Sequence, residues 1–223
     1  MRNTTDEREQ FIINWADFLA RHGKADTGTP RVLDVLLGQY GNKDRHYHHY
    51  WHPNGCIALL RDARRDMPEW FTDPIQDAAI EHALIEHDGV FVIGGLVNGL
   101  NERWSGELAH LHALQLGFEQ QVADLAQWLV RFTTHMDANN WHLAAQIVCD
   151  IDIATFAAPW SQFRRHSRLV HKELWWLTEA EFAARNRRYF GKMLVRKRIY
   201  KTEYFYNRFE ARARANLERV ITT

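Results

Sequence analysis

The sequence predicts an all-α protein, organised as a single helical domain over residues 1–223. Apolar residues recur at spacings of three and four along most of the chain, whereas no segment sustains the apolar-polar alternation of a β-strand. With 46% hydrophobic residues, a chain of 223 residues can bury a sizeable core. We therefore expect roughly eight to ten helices packed in one bundle.

The predicted helices follow the apolar stripes in chain order. They are carried by FIINWADFLA, RVLDVLLG, CIALLRDAR, PIQDAAIEHALIEHD, two segments within NERWSGELAHLHALQLGFEQQVADLAQWLVRFTTH, HLAAQIVCDIDIATF and a long C-terminal run. Pro68 and the pair Asp73-Pro74 mark a loop between the third and fourth helices, because proline disfavours continuation of a helix. The Gly-rich stretch GVFVIGGLVNG ends the fourth helix.

The start of the chain and its two cysteines bear on the compartment. MRNTTDEREQFIINWADFLARHG lacks the apolar core and the cleavage site of a signal peptide, and no later stretch approaches roughly 18 uninterrupted apolar residues. We therefore expect a soluble cytoplasmic protein without a membrane segment, in which Cys56 and Cys149 stay as thiols.

The charge is balanced overall but concentrated near the C-terminus. Residues 185–214 carry eleven Lys and Arg against two Glu, a local charge of +9 within a chain of net charge zero. Tyrosines and phenylalanines interleave with these charges, a composition compatible with phosphate or nucleic-acid binding. The other interpretation is an amphipathic helical segment whose aromatic residues face the core and whose basic residues are solvated or paired.

A histidine-rich segment, DRHYHHYWHPNG, opens the third helix and has several candidate partners. It contains His48 and His52, one helical turn apart and therefore facing the same way. Further along the chain, imidazoles and carboxylates recur within predicted helices, at His87, Asp88, His135, Asp150 and Asp152. Imidazole and carboxylate groups together hold divalent ions such as Mn, Fe, Co, Ni, Zn or Mg.

These motifs, in this order, resemble the HD superfamily of metal-dependent phosphohydrolases, and in particular its family of predicted metal-dependent HD phosphohydrolases. The matching positions are Arg45, Tyr47, His48 and His52, then His87 and Asp88, then Asn101, Glu102 and Ser105, then Asp150 and Asp152. The C-terminal segment IYKTEYFYNRFEARARANL is also similar, and the resemblance covers roughly residues 33–217. Glu86 departs from the family pattern, which has an apolar or aromatic residue before the HD pair, and we expect it to face solvent.

The resemblance implies an HD-domain bundle with a divalent metal site in its central groove. The implied ligands are His48, His87, Asp88 and either Asp152 or Asp150, with Asp152 preferred. His52 and His135 are candidates for a second ion or for the substrate phosphate. The candidates for phosphate clamps are Arg45, Lys201 and Arg214.

The implied activity is hydrolysis of a phosphate ester or anhydride of a small molecule, such as a nucleotide, by water that the metal activates. Asp88 would take part as a ligand, and Glu102 is the candidate general acid or base. The alternative is a protein that keeps the HD scaffold but binds nucleic acid or protein through its basic aromatic segment, residues 185–214.

Overall fold

The computed structural model describes residues 4–25, 29–92, 99–135 and 142–222. Within these ranges the chain is helical and has no strand, so the predicted all-α class is confirmed. The α-helices are α1 (Thr4–Arg21), α2 (Thr29–Tyr40), α3 (Trp51–Asp66), α4 (Pro74–Glu86), α5 (Leu100–Gln115), α6 (Gln120–Arg131), α7 (Leu143–Asp152), α8 (Trp160–Glu173), α9 (Glu179–Leu194) and α10 (Glu203–Thr222). Short 3₁₀ helices lie at Pro68–Phe71, Phe132–Thr134 and Ile153–Ala157.

Two boundaries differ from a simple reading of the apolar stripes. Helix α3 begins at Trp51, inside the histidine segment, so that His52 lies on the helix and His48 lies before it. The long C-terminal run consists of three separate helices, α8, α9 and α10. The Gly-rich stretch after α4 falls partly outside the described residues, at 93–98.

Helix α4 is the central helix of the bundle, and it contacts α3, α5, α6 and α7. Its start is fixed by Asp73, whose side chain accepts the backbone N–H groups of Ile75 and Gln76, and by Pro74 in the first turn. From Ala78 onward every residue of the helix is buried. The end of α4 therefore delivers the following residues, His87 and Asp88, into the interior.

The buried polar residues of α4 have partners on neighbouring helices. Glu81 is fully buried and pairs with Arg64 at 2.7 Å and His22 at 3.1 Å. Glu86 is also fully buried, and its Oε1 lies 2.8 Å from Nδ1 of His112 on α5. The expectation that Glu86 faces solvent is wrong, because a histidine on the adjacent helix provides a buried partner for the carboxylate.

Helices α5 and α6 are closely packed at Gly106. A Cβ added at this position would lie 2.9 Å from the backbone oxygen of Gln127, closer than real Cβ atoms approach. Glycine therefore permits the close approach of the two helices. Glu102 lies one turn before Gly106, in the first turn of α5.

The segment between α9 and α10 is anchored by two buried carboxylates, Asp150 of α7 and Glu210 of α10. Asp150 accepts the backbone N–H groups of Lys201 and Thr202, each at 2.8 Å. Glu210 accepts the backbone N–H groups of Ile199 and Tyr200 at 3.0–3.1 Å. The basic aromatic segment is thus attached to the body of the protein, and its Tyr200 and Phe205 side chains belong to the core.

Within the described ranges, none of the individual helices combines the length and apolarity needed to cross a membrane. One bent pair, Leu143–Ala157 with Trp160–Glu173, meets the length and composition criteria only when its two helices are taken together.

Candidate metal centre

Four side chains converge where the start of α3, the end of α4 and the end of α7 meet: those of His52, His87, Asp88 and Asp152. The Nε2 atoms of His52 and His87 are 3.0 Å apart. Oδ1 of Asp152 lies 3.0 Å from His52 Nε2 and 3.4 Å from His87 Nε2. Oδ2 of Asp88 lies 3.5 Å and 3.2 Å from the same two atoms. Four potential ligand atoms therefore surround one small volume.

Cys56 lies one turn after His52 on α3 and adds a sulfur atom to this group. The ligand atoms of His52, Cys56 and His87 all lie within 4.8 Å of one another, and all three residues are buried. This group could hold a metal ion. Burial raises the pKa of the Cys56 thiol well above its usual value, and the charges of Asp152 and Asp88 raise it further. The sulfur is therefore a protonated thiol in the absence of a metal.

The electrostatics of the cluster favour ionised carboxylates. Burial opposes ionisation of Asp88, but the positive charges of His87 and His48 outweigh this effect and lower its pKa. The pKa of Asp152 is held well below its usual value against the same effect of burial, mainly by His87 and by a hydrogen bond with His135. Conversely, the two carboxylates raise the pKa of His87 despite its burial. The centre therefore attracts positive charge strongly.

The turn that carries Asp88 is fixed by side chains from two directions. The Arg45 guanidinium donates to the backbone oxygens of Asp88 at 2.6 Å and Gly89 at 3.1 Å. Ser105 bonds both backbone groups of Val90, at 3.0 Å and 3.1 Å. Arg45 is only 3% exposed and positions this turn through these contacts, whereas its role as a phosphate clamp stays a prediction.

Asn101, from the same motif as Ser105 and Glu102, accepts the N–H of Val92 at 3.0 Å. His87 is oriented in a similar way, since its Nδ1 lies 3.0 Å from the backbone oxygen of Leu84. This contact directs Nε2 of His87 into the cluster.

His48, the predicted first ligand, has a carboxylate partner at one of its two ring nitrogens. Its Nδ1 lies 2.6 Å from Oε2 of Glu173, at the end of α8, and its ring stacks on Phe91 at 4.1 Å. Within the four-atom cluster, the nitrogen from the histidine segment is Nε2 of His52. The reason is the start of α3 at Trp51, which turns the His52 ring toward α4 and α7 and leaves His48 on the preceding turn. The Glu173 contact occupies only Nδ1 of His48, so the ligand role of His48 stays a prediction, through its Nε2.

His135 lies at the edge of the cluster. Its Nε2 is 2.8 Å from Oδ2 of Asp152, the carboxylate oxygen that faces away from His52. The backbone of His135 has a φ of 55°, and Arg196 donates to its carbonyl oxygen. His135 therefore orients Asp152.

Asp150 and Arg214 have partners outside the cluster, and Lys201 is held through its backbone. Asp150 is used by Lys201 and Thr202, because two residues along a helix face nearly opposite sides, so only Asp152 points to the histidines. The backbone N–H of Lys201 contributes to this anchor. The Arg214 guanidinium binds Glu210 at 2.6 Å and the backbone oxygen of Leu194 at 3.0 Å, so it stabilises the 195–202 segment.

Glu102 is half-buried in the first turn of α5. Burial raises the pKa of Glu102, and the negative charges of Asp88 and Asp152 raise it further. The carboxyl is therefore close enough to sense both aspartates and retains a proton more readily than an exposed glutamate.

Sequence reasoning missed two residues of this region. Glu173 gave no local signal, since it ends the basic sequence RRHSRLVHKE. Cys56 did have one, because its spacing of four from His52 places the two side chains on one helix face.

No family model, curated protein or solved structure matches this chain.

Proposed function

We propose that this protein is a metal-dependent phosphohydrolase of small phosphorylated compounds, and that its ion is held by His52, His87, Asp88 and Asp152. The observation that carries the proposal is the convergence of two imidazole nitrogens and two carboxylate oxygens: the nitrogens lie 3.0 Å apart, and each lies 3.0–3.5 Å from both oxygens. Ligand atoms about 2.1 Å from an ion lie roughly 3.0 Å apart in adjacent octahedral positions and roughly 3.4 Å apart in tetrahedral positions. The observed separations fit such an arrangement.

The distribution of lone pairs also supports a cation. Because His87 Nδ1 faces the oxygen of Leu84, the neutral ring carries its proton there and presents a lone pair at Nε2. That lone pair faces Nε2 of His52 and the oxygens of Asp88 and Asp152. Oδ2 of Asp88 is buried and accepts no hydrogen bond from the part of the chain that the structure describes. A single proton on Nε2 of His87 can be shared with only some of these facing lone pairs, whereas a metal ion can bind all of them. Metal binding should therefore compete with protonation of His87.

The two carboxylates are better candidates than Cys56 for completing the ligand set. Both aspartates have lowered pKa values and are ready to bind as anions. The thiol of Cys56 would first have to lose a proton against a strongly raised pKa. Imidazole and carboxylate ligands together suit borderline and hard divalent ions, which also bind phosphate oxygens.

A divalent ion in this position would activate water and neutralise charge on a phosphoryl group. The protein would supply the proton transfer: Glu102, with its raised pKa, is suited to give a proton to the leaving oxygen. His135 would orient Asp152 through its hydrogen bond. Arg45 would hold the Asp88 turn through the backbone oxygen of Asp88.

Direct attack by water is favoured over a covalent intermediate on cysteine. Cys149 donates to the backbone oxygen of Phe132, and burial raises its pKa to about 12. Cys56 is similarly buried and protonated. Neither thiol provides the thiolate that nucleophilic catalysis requires.

The proposed ligand set is tested by metal analysis of protein purified without a histidine tag. His52→Ala, His87→Ala and Asp152→Asn should each lose bound metal, while His110→Ala, which removes a surface histidine paired with Asp124, should retain it. Full occupancy in folded His52→Ala protein, or no metal in wild type after reconstitution, would contradict the site.

The proposed reaction is tested by screening phosphorylated metabolites with several divalent ions. Activity should disappear with chelator and return with added ion, and oxygen from labelled water should enter the phosphate in a single turnover. Glu102→Gln should lower kcat by roughly 10²–10⁴-fold without loss of bound metal. Chelator-resistant activity or a trapped phosphoenzyme would exclude the mechanism.

No specific observation on the described residues supports the alternative function, nucleic-acid or protein binding through residues 185–214. Tyr200 and Phe205 of this segment are core residues, and Arg214 is used in internal contacts. Tight oligonucleotide binding that persisted in His87→Ala would favour it.

A further inference from the structure

Two neighbouring cavities lie along α3. A chamber of about 230 Å³ lies between α3, α8, α10 and the 3₁₀ helix Ile153–Ala157. A groove of about 1250 Å³ runs along α1, α2, α3 and α8. The cavities share the four lining residues Trp51, Gly55, Gln162 and His166. The two cavities are therefore adjacent, with these four residues at their common border.

Two helical glycines keep the groove wide. Gly38 on α2 and Gly55 on α3 both line it, and a Cβ added to either would have no atom within 4 Å. Neither glycine has a positive φ, so alanine would fit both backbone conformations and would favour the helix. Packing and backbone geometry thus give no reason for glycine at these positions. A larger side chain at either position would extend into the groove.

The groove is positively charged. Its lining includes Arg8, Lys43, Arg61 and Arg165 and the carboxylate of Glu7, together with the buried Arg45 that holds the Asp88 turn. Lys43 pairs with Asp44 at 2.8 Å. Arg165 is exposed and, among the described residues, has no hydrogen-bond or ion-pair partner. Arg61 pairs with Asp17, but both side chains are substantially exposed and such pairs are weak. These side chains are available to an anion in the groove.

The chamber has a different character. Its walls are mainly aliphatic and aromatic, including Leu59 and Phe209, and Trp51 stacks on His166 with ring centroids 4.7 Å apart. Nδ1 of His166 is buried and makes no hydrogen bond, so it offers a polar contact to a ring edge. The volume falls below the roughly 300–1,000 Å³ of pockets for whole ligands, whereas the groove exceeds that range. The chamber therefore suits one ring system and the groove its anionic substituent.

We propose that the chamber and the groove together bind a nucleoside triphosphate, with the base in the chamber and the phosphates in the groove. The chamber is bordered by His52 and Cys56, so the bound base would lie next to the candidate metal centre. The phosphates would lie along Arg165, Arg61 and Arg8. The proposal does not require hydrolysis or a bound metal, since neither cavity is lined by His87, Asp88 or Asp152.

The test is calorimetric titration of the full chain in chelator with ATP, GTP, CTP and UTP, and with adenosine and inorganic tripolyphosphate as the two halves of the ligand. At least one nucleotide should bind more tightly than either half. Gly55→Leu and Arg165→Gln should each weaken binding by about 10-fold or more.

Gly191→Leu is the matched control for Gly55→Leu. Gly191 is also a helical glycine with no atom within 4 Å of an added Cβ, but it lines neither cavity. It should leave nucleotide affinity unchanged, with both variants checked for wild-type Tm. Equal affinity in wild type and Gly55→Leu, or an equal loss in the two leucine variants, would overturn the proposal.

The proposed nucleotide site can be refuted separately from the proposed hydrolase activity. His87→Ala should lose metal yet bind nucleotide like wild type. Nucleotide binding that appears only with added metal and disappears in His87→Ala would place the phosphates at the metal centre and overturn the second site. Tighter binding of a single-stranded oligonucleotide than of any mononucleotide would show that the groove takes nucleic acid instead.

Discussion

Replacing Glu173 tests how the histidine segment is held beside the candidate metal centre. The side chain of Glu173 is 1% exposed, and Oε1 accepts the backbone N–H groups of His46, Tyr47 and His48 at 2.6, 2.7 and 2.9 Å. Oε2 lies 2.6 Å from His48 Nδ1. One carboxylate of α8 therefore fixes three consecutive residues and one imidazole.

The expected magnitudes follow from these four contacts. Glu173→Gln keeps an oxygen for the N–H groups and changes mainly the His48 contact, so we expect a loss of about 1–2 kcal/mol in the free energy of unfolding. Glu173→Ala removes all four contacts and leaves partly buried donors without partners, which should cost about 3–5 kcal/mol. For a domain of this size, 1 kcal/mol lowers Tm by roughly 2–4 °C, so the decreases should be roughly 2–8 °C and 6–20 °C.

Glu173→Gln should also change the tautomer of His48. The carboxylate accepts the proton of Nδ1, whereas the NH₂ group of glutamine donates, so the ring proton should move to Nε2. The pKa of His48 should fall, because burial lowers it and the charges of Asp88 and Glu173 are what raise it.

The assays are urea unfolding and ¹⁵N NMR of the imidazole nitrogens. Glu179→Gln is the control, since the Glu179 side chain is 94% exposed and pairs with His171 only at 3.8 Å; its stability should match wild type. Equal stability of the Gln and Ala variants at Glu173, or an unchanged His48 tautomer, would refute this account.

Two further predictions concern the supports of α4 and of the Asp88 turn. Burial opposes ionisation of Glu81, but His22 and Arg64 outweigh it and lower its pKa from 4.5 to about 2. The native state therefore gains stability from Glu81 above pH 4.5 and loses it as the pH falls toward 2. Glu81→Gln should lower the free energy of unfolding by about 3 kcal/mol at neutral pH, and this difference from wild type should disappear in acid. Urea unfolding across this range checks it, and a gap independent of pH would contradict it. Arg45→Met should weaken metal binding by roughly 10–100-fold through loss of support for the Asp88 turn, measured by chelator competition. Unchanged affinity, beside an unchanged Arg61→Met control, would count against a positioning role for Arg45.

The secondary structure was largely predictable because helical periodicity is local. Apolar residues at three and four spacing predicted the helices, and Asp73-Pro74 predicted the start of α4. The environment of Glu86 was not predictable, since whether a polar side chain on a helix faces solvent depends on which other helices surround it. Helix α4 is enclosed on all sides, and the partner of Glu86 lies 26 residues away on α5.

The candidate site was predictable in its residue types and less so in its members. His87, Asp88 and the preferred Asp152 lie in one cluster, as the order of motifs indicates. The resemblance implied His48 as the first ligand and His52 as a candidate for a second ion, whereas helix geometry alone does not separate them, because both lie on one face of an idealised helix. The choice depends on the start of α3 at Trp51 and on Glu173, 125 residues after His48.

The sequence by itself determined the all-α class and the order of the histidines and aspartates, because helix formation depends on spacings of a few residues. Only the tertiary structure decided which of these side chains meet. Nε2 of His52 comes within 3.0 Å of atoms that lie 35 and 100 residues further along the chain, on α4 and α7. It also decided that Asp150, Arg45 and Arg214 support the fold. Distances of that kind are set by how helices pack against one another, and local periodicity does not specify this packing.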